Sequence, residues 1–335
     1  MKILVTGGLG FIGSHTVCAL LNDNYEVVVV DNLSNSGIDI VDKIKTITGK
    51  VFSFYNCDVR NEEELDKIFA NEEIDAVIHF AGYKAVGESV AKPIMYYENN
   101  LGTTITLCKV MQKYNVNKII FSSTATVYAP SKVLPLKEDF PLGTTNPYST
   151  TKLMIERILS DICVSNKDFS VVILRYFNPI GAHQSGLIGE NPKGIPNNLM
   201  PYIVRVANGD LEELSVFGKD YDTHDGTGVR DYIHVVDLAK GHLSALDKVF
   251  STTGVNTYNL GTGVGYSVLD IVETFKKVNG VDVPYKIVDR RPGDMDKFYA
   301  DSTKAYEELG WSATLGIEDM CRDSYNYIVK QRDNK

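Results

Sequence analysis

The strongest constraint on this chain lies near its start. Lys2 to Thr6 is an apolar run of strand length that passes directly into Gly7, Gly8, Gly10 and Gly13, and Phe11 to Leu21 then has the composition of a helix. The glycines satisfy both G-x-G-x-x-G and G-x-x-G-x-x-G. Without Cβ atoms they permit a tight turn, let a ligand approach the backbone, and aim the unpaired N–H groups of the helix start at negative charge. Asp31 closes the next apolar run, Glu26 to Val30. A carboxylate there bonds the ribose hydroxyls of a dinucleotide and repels a 2′-phosphate, so the expected cofactor is NAD rather than NADP. A second glycine turn, Gly261 to Gly265, has no acidic partner after a following strand and is read as a turn without a ligand.

Further strand-like runs at Val51 to Tyr55, Ala76 to Phe80, Lys118 to Ser122 and Ser170 to Arg175 alternate with amphipathic stretches. The unbroken β-branched run Val27 to Val30 suits a parallel strand covered on both faces. The expected class is α/β, a Rossmann-type doubly wound parallel sheet with a smaller mixed C-terminal substrate domain. The division is placed at residues 1–177 and 178–335 and is interleaved, because Tyr232 to Val236 and Thr257 to Leu260 are expected to return to the first domain. The polar tail after Tyr327 is expected to fray.

With 335 residues, 44% of them hydrophobic, the chain can bury a substantial core. A net charge of −9 offers no basic field for nucleic acid. No apolar run approaches the ~20 residues that span a bilayer. The five cysteines and six histidines show no metal-ligand spacing. A reduced, cytoplasmic, metal-free protein is expected.

Tyr148 precedes Lys152 by four residues, a spacing that also occurs at Tyr114 with Lys118 and at Tyr128 with Lys132. Only Tyr148 has helical context, with Asn146 as N-cap and Pro147 as first helical residue, so the two side chains share a face. A tyrosine becomes a base at neutral pH only if its pKa falls from ~10 to ~7, which takes about 4 kcal/mol of preferential phenolate stabilisation. A lysine ammonium, a helix N-terminus and a positive nicotinamide ring supply charge of the right sign. Ser122, Ser123 and Thr124 end a strand, where ligands collect in such sheets.

The stretches TGGLGFIGSH from Thr6, DNLSNS from Asp31, HFAGYKAVGESV from His79, SSTATVY from Ser122, NPYSTTK from Asn146, RYFNPIGAH from Arg175, IPNNLMPY from Ile195, GTGVRDYIHVVDLA from Gly226 and RRPGD from Arg290 resemble the extended short-chain dehydrogenase/reductase family, on its nucleotide-sugar epimerase branch. The resemblance implies NAD bound by Gly7, Gly10, Phe11, Ile12, Gly13, Asp31, Asn32, Leu33, Asn35, Ser36, Asp58, Val59, Phe80, Ala81, Gly82, Lys84, Asn99, Ser122, Tyr148, Lys152 and Phe177. It implies a UDP-sugar held by Lys84, Thr124, Tyr148, Asn178, Asn198, Leu199, Ser215, Phe217, Arg230, Tyr232, Arg291, Asp294 and Phe298. The implied reaction interconverts UDP-glucose and UDP-galactose, with Tyr148, Lys152 and Thr124 catalytic and a homodimer formed through the helices after Pro93 and Pro147. The chain departs from the family pattern at Thr124 for Ser, Ala129 for Gly and Ser149 for Gly. Phe298 occupies a position whose bulk would disfavour N-acetylated sugars.

Two rivals stand beside this reading. A nucleotide-sugar 4,6-dehydratase shares the fold and the tyrosine but carries Asp-Glu where this chain has Ala125 and Thr126, which cannot expel the 6-hydroxyl. A protein that senses NAD without turnover would not need Tyr148, Lys152 and the arginine pair together.

Overall fold

The β-branched run Val27 to Val30 is buried on both sides. Val27 and Val29 pack into one apolar cluster and Val28 and Val30 into another, and the same division separates Ile3 and Val5 from Leu4. Alternate residues of each strand thus feed two helical layers.

The computed structural model describes residues 1–192, 196, 198–291 and 293–333. The chain begins β1 (Lys2–Thr6), α1 (Phe11–Asn22), β2 (Glu26–Asp31), α2 (Asp39–Thr48), β3 (Ser53–Asn56), α3 (Glu62–Asn71) and β4 (Ala76–His79). It continues through α4 (Val86–Ala91), α5 (Pro93–Lys113), β5 (Lys118–Thr124), α6 (Pro147–Ser165) and β6 (Ser170–Tyr176). Then come β7 (Asn178–Ile180), α7 (Leu199–Ala207), β8 (Leu214–Phe217), β9 (Val229–His234), α8 (Val235–Ser251) and β10 (Gly254–Leu260). The chain closes with β11 (Gly265–Ser267), α9 (Val268–Asn279), β12 (Tyr285–Val288), β13 (Lys297–Phe298), α10 (Thr303–Leu309) and α11 (Ile317–Asp333).

A seven-stranded sheet has the order β10-β6-β5-β4-β1-β2-β3, and all of its pairs are parallel. This is the doubly wound arrangement expected from the sequence. The order reverses between β1 and β4, which opens a crevice at the carboxyl ends of those strands. α1 and α8 pack together on one face, while α5 packs between α3 and α6 on the other. A four-stranded sheet of β7, β9, β11 and β13 and a β8–β12 pair surround a separate apolar cluster.

Three local expectations are corrected. β3 starts at Ser53, not Val51, which is 82% exposed and precedes the strand. Thr257 to Leu260 joins the large sheet beside β6, but Tyr232 to His234 lies in the small sheet, where β9 pairs with three partners. The tail does not fray after Tyr327. That residue is buried, and Lys330 and Gln331 donate to the carbonyls of Ser185 and Gly186, which holds α11 helical to Asp333.

Candidate active site

The glycine turn is shaped by what a Cβ would strike. One built on Gly13 would lie 2.3 Å from the Gly7 carbonyl oxygen, and one on Gly7 would lie 2.9 Å from the Ala81 nitrogen. Gly7 also has φ +69°, the left-handed region. β1, the start of α1 and the end of β4 can therefore meet only with glycine at these positions. No side chain caps α1, so its first-turn N–H groups face the crevice with their partial positive charge. Asp31 bonds back to this turn. Its Oδ2 accepts from the Leu9 nitrogen at 3.1 Å, and its Oδ1 accepts from Leu33 N at 2.9 Å and Ser36 Oγ at 2.8 Å. Leu33 sits at φ +59°, a strained conformation that its bond to Asp31 holds.

Asn32 and Asp58 meet across β2 and β3, 3.3 Å apart, and Arg60 holds the Asp58 carboxyl down to about 2. Asn35 follows in the loop after β2, Val59 is buried, and Phe80, Ala81 and Gly82 follow β4. These groups form a cradle with a backbone floor, the Asp31 carboxylate at the end of β2 and a helix N-terminus. Its donor set fits NAD.

The second glycine turn is filled from within the chain. Asp231 accepts from Thr262 N at 2.8 Å and Gly263 N at 3.0 Å, leaving those amides no role toward a ligand.

At the carboxyl end of β5 the expected catalytic groups converge. Asn146 caps α6 by accepting from Ser149 N at 2.9 Å, and Pro147 opens the helix, so Tyr148 and Lys152 lie one turn apart, both buried. Lys152 Nζ donates to the Ser122 carbonyl at 2.8 Å and lies 4.8 Å from the centre of the Phe121 ring. Burial lowers the Lys152 pKa to about 8, with Glu156 opposing, and raises Tyr148 to about 12, with the Thr124 hydroxyl pulling it back. The protein's own groups thus hold Tyr148 as a neutral phenol, and the lowering expected from Lys152, the helix start and the nicotinamide ring together belongs to the cofactor-bound site.

Ser122 hydrogen-bonds Tyr176 rather than facing a ligand freely. Ser123 donates to Glu156 at 2.5 Å, and Glu156 forms a buried ion pair with Arg175 at 2.7 Å. Ser123 is therefore a structural link. His79, 2.7 Å from Thr6 Oγ1 and 3.0 Å from Thr104 Oγ1, is pushed down to about 3 by burial and is a neutral strut.

The smaller region faces this point. Asp294 gathers the two expected arginines, with Arg291 Nε at 3.0 Å and Arg230 Nη2 at 3.7 Å, and the Arg291 guanidinium lies 5.0 Å from the Phe217 ring centre. Arg290 instead packs on Tyr221 and pairs with Asp220. Ser215 and Phe217 share one face of β8. Tyr232 is buried in the apolar cluster of the small region, so the structure gives it packing contacts. Phe298 stacks at 5.2 Å on Phe177 in a cluster that includes Ala125, joining the smaller region to the end of β5. Asn178 opens β7, and Asn198 and Leu199 start α7. Ile195, Asn197 and Pro292 of the quoted motifs lie outside the described residues.

Residues not singled out in the sequence tie these pieces together. Glu190 Oε1 accepts from Lys84 Nζ at 3.1 Å and from Asn198 Nδ2 at 2.8 Å, linking the segment after β4 to the start of α7. Asn100 brackets Tyr83 through its nitrogen and carbonyl, at 2.8 and 3.1 Å, and accepts from the neighbouring Asn99 at 3.0 Å. No local motif marks either residue, since each acts across a long sequence separation.

The chain belongs to the NAD dependent epimerase/dehydratase family, whose model matches residues 3–261. It is 61% identical over 327 residues to the UDP-glucose 4-epimerase of Bacillus subtilis, covering 98% of this chain and 96% of that protein. It is 54% identical to the enzyme of the same name from Dictyostelium discoideum, covering 97% and 95%. The crystal structure of UDP-glucose 4-epimerase from Bifidobacterium longum with NAD+ and UDP superposes with a TM-score of 0.96 at 55% identity, covering all of both chains.

Proposed function

We propose that this chain interconverts UDP-glucose and UDP-galactose by transient oxidation at sugar C4. One observation carries the reading: Tyr148, Lys152 and Thr124 lie together at the carboxyl end of β5 beside the dinucleotide cradle, and the Phe177–Phe298 contact joins that end to the region that holds the Arg230–Asp294–Arg291 group. Bound NAD supplies the hydride acceptor and a positive ring that favours the phenolate. Gly7, Gly10, Phe11, Ile12 and Gly13 carry its diphosphate, and Asp31 its ribose. Arg230 and Arg291 hold the UDP diphosphate through forked guanidinium bonds, with Asp294 fixing both. Tyr148 takes the proton of the 4-hydroxyl, with the Thr124 hydroxyl bonded to the phenolic oxygen. Lys152, anchored to the Ser122 carbonyl, keeps positive charge beside the phenol. The 4-keto sugar then turns about its bond to the diphosphate and presents its other face. The hydride returns to that face of C4 as Tyr148 gives back the proton, and the C4 centre is inverted.

Elimination is disfavoured because Ala125 and Thr126 offer no acid or base for the 6-hydroxyl. The Phe298 ring, packed on Phe177, leaves UDP-N-acetylhexosamines disfavoured. Exposed Ile94 and Ile105 on α5 and Met154 on α6 support pairing of two copies through these helices. All five cysteines are free and buried, in keeping with a cytoplasmic setting, and among the described residues no helix is long and apolar enough to cross a membrane.

Purified NAD-loaded protein given UDP-galactose without added cofactor is expected to form UDP-glucose. Failure of that protein to do so overturns the reading, and accumulation of a 4-keto-6-deoxy sugar replaces it with the dehydratase.

A further inference from the structure

A line of three hydroxyls runs from the catalytic centre to the cap of α6. Asn146 Oδ1 faces the helix as an acceptor, fixed there by its bond from Ser149 N at 2.9 Å. Ser149 Oγ lies 3.0 Å from that oxygen and 2.7 Å from Thr126 Oγ1. Thr126 Oγ1 lies 3.1 Å from Thr124 Oγ1, which also accepts from the Thr126 backbone nitrogen at 3.2 Å. Ser149 is fully buried, whereas Thr126 is exposed.

Each hydroxyl carries one hydrogen and two lone pairs, so the line has two self-consistent settings. In the first, Ser149 donates to Thr126 and Thr126 donates to Thr124. Both lone pairs of Thr124 are then filled, by Thr126 N–H and Thr126 O–H, and its own hydrogen is free to donate to a Tyr148 phenolate. In the second, Tyr148 as a phenol donates to Thr124 and Thr124 to Thr126, which still accepts from Ser149 and turns its own hydrogen to solvent. Only O–H rotations separate the two settings, and no bond in the line forms or breaks.

We propose that Thr126 and Ser149 are positioning residues acting through Thr124: Thr126 reverses its hydrogen-bond direction as Tyr148 takes and returns the sugar proton, while Ser149 holds it as a constant donor. The proposal rests on Tyr148 being the base. Asn146 anchors both settings because its oxygen accepts in each. Charge-assisted donation to the phenolate is stronger than the neutral bond it replaces, so the line favours the ionised form when the proton must leave the sugar.

The test is the pH profile of kcat for UDP-galactose conversion. Thr126→Val keeps the shape and removes the hydroxyl. It is expected to lower kcat about tenfold at neutral pH and to move the acid limb up by about one pH unit, because Thr124, the phenolate's donor, loses the hydroxyl that polarises it, and a phenolate with a weaker donor is harder to form. KM should stay within about twofold of the original, since uniform binding is untouched. Thr126→Ser restores the profile. Ser149→Ala shifts the limb in the same direction by less, and it decides the matter if the threonine variant fails to fold. Superimposable profiles for Ser149→Ala, Thr126→Val and the unmodified enzyme overturn the relay while leaving Tyr148 as base. A Tyr148→Phe variant with full activity removes the base reading itself.

Discussion

Tyr148→Phe is expected to lower kcat by about a thousandfold or more while leaving bound NAD in place, because a positioned acid-base group contributes ~10²- to 10⁴-fold and this one serves both directions of the proton transfer. The ring of Tyr148 stays packed in the variant, since only the oxygen is lost and α6 keeps its Asn146 cap. Thermal stability and NAD content should therefore match the unmodified protein. Steady-state conversion of UDP-galactose beside the nicotinamide content of the purified sample checks both parts. Loss of NAD with activity would mean that Tyr148 acts in binding rather than in proton transfer.

Gly13→Ala is expected to abolish NAD retention. The added Cβ meets the Gly7 carbonyl oxygen at 2.3 Å and Gly8 Cα at 2.8 Å, both backbone atoms that no rotamer change can move. The turn must open, which withdraws Gly7 and the first N–H groups of α1 from the diphosphate together. A loss of only ~3 kcal/mol in cofactor binding is already about a hundredfold in affinity. Gly280→Ala is the control. That glycine caps α9 at φ +65° with nothing within 4 Å of an added Cβ, so its cost is left-handed strain of about 1–2 kcal/mol, with NAD content unchanged. Dialysis followed by nicotinamide quantitation separates the two variants.

These two sites were the most legible parts of the sequence because their information is local. A strand, four glycines and a helix fall within Lys2 to Asn22, and Asn146, Pro147 and Tyr148 are consecutive. The large sheet was equally open to reading, since unbroken β-branched runs such as Val27 to Val30 fit strands buried on both faces. The strand end at Val51 was misplaced because its composition is right for a strand while the chain there passes over the surface. The tail was misread because Lys330 and Gln331 find their partners at Ser185 and Gly186, far back in sequence.

Within the site, the link from Lys84 through Glu190 to Asn198 and the grouping of Arg230 with Arg291 on Asp294 are tertiary facts. The arginines were named from resemblance, and only the structure supplies the carboxylate that orients them. Asp231 likewise explains why one glycine turn serves the chain itself while the other stays open. The protonation of Tyr148 was the least accessible feature. Lys152 lies one turn away, as the spacing requires, but burial raises Tyr148 and lowers Lys152, and the positive nicotinamide ring that completes the expected set is not among the chain's own groups.

The central claim is that oxidation at C4 is internal and fully returned. UDP-galactose carrying deuterium at C4 tests it most directly when supplied to NAD-loaded protein in ordinary water. UDP-glucose that keeps the deuterium at C4 is the expected product. Deuterium lost to solvent, or an oxidised sugar accumulating in step with turnover, would contradict the account.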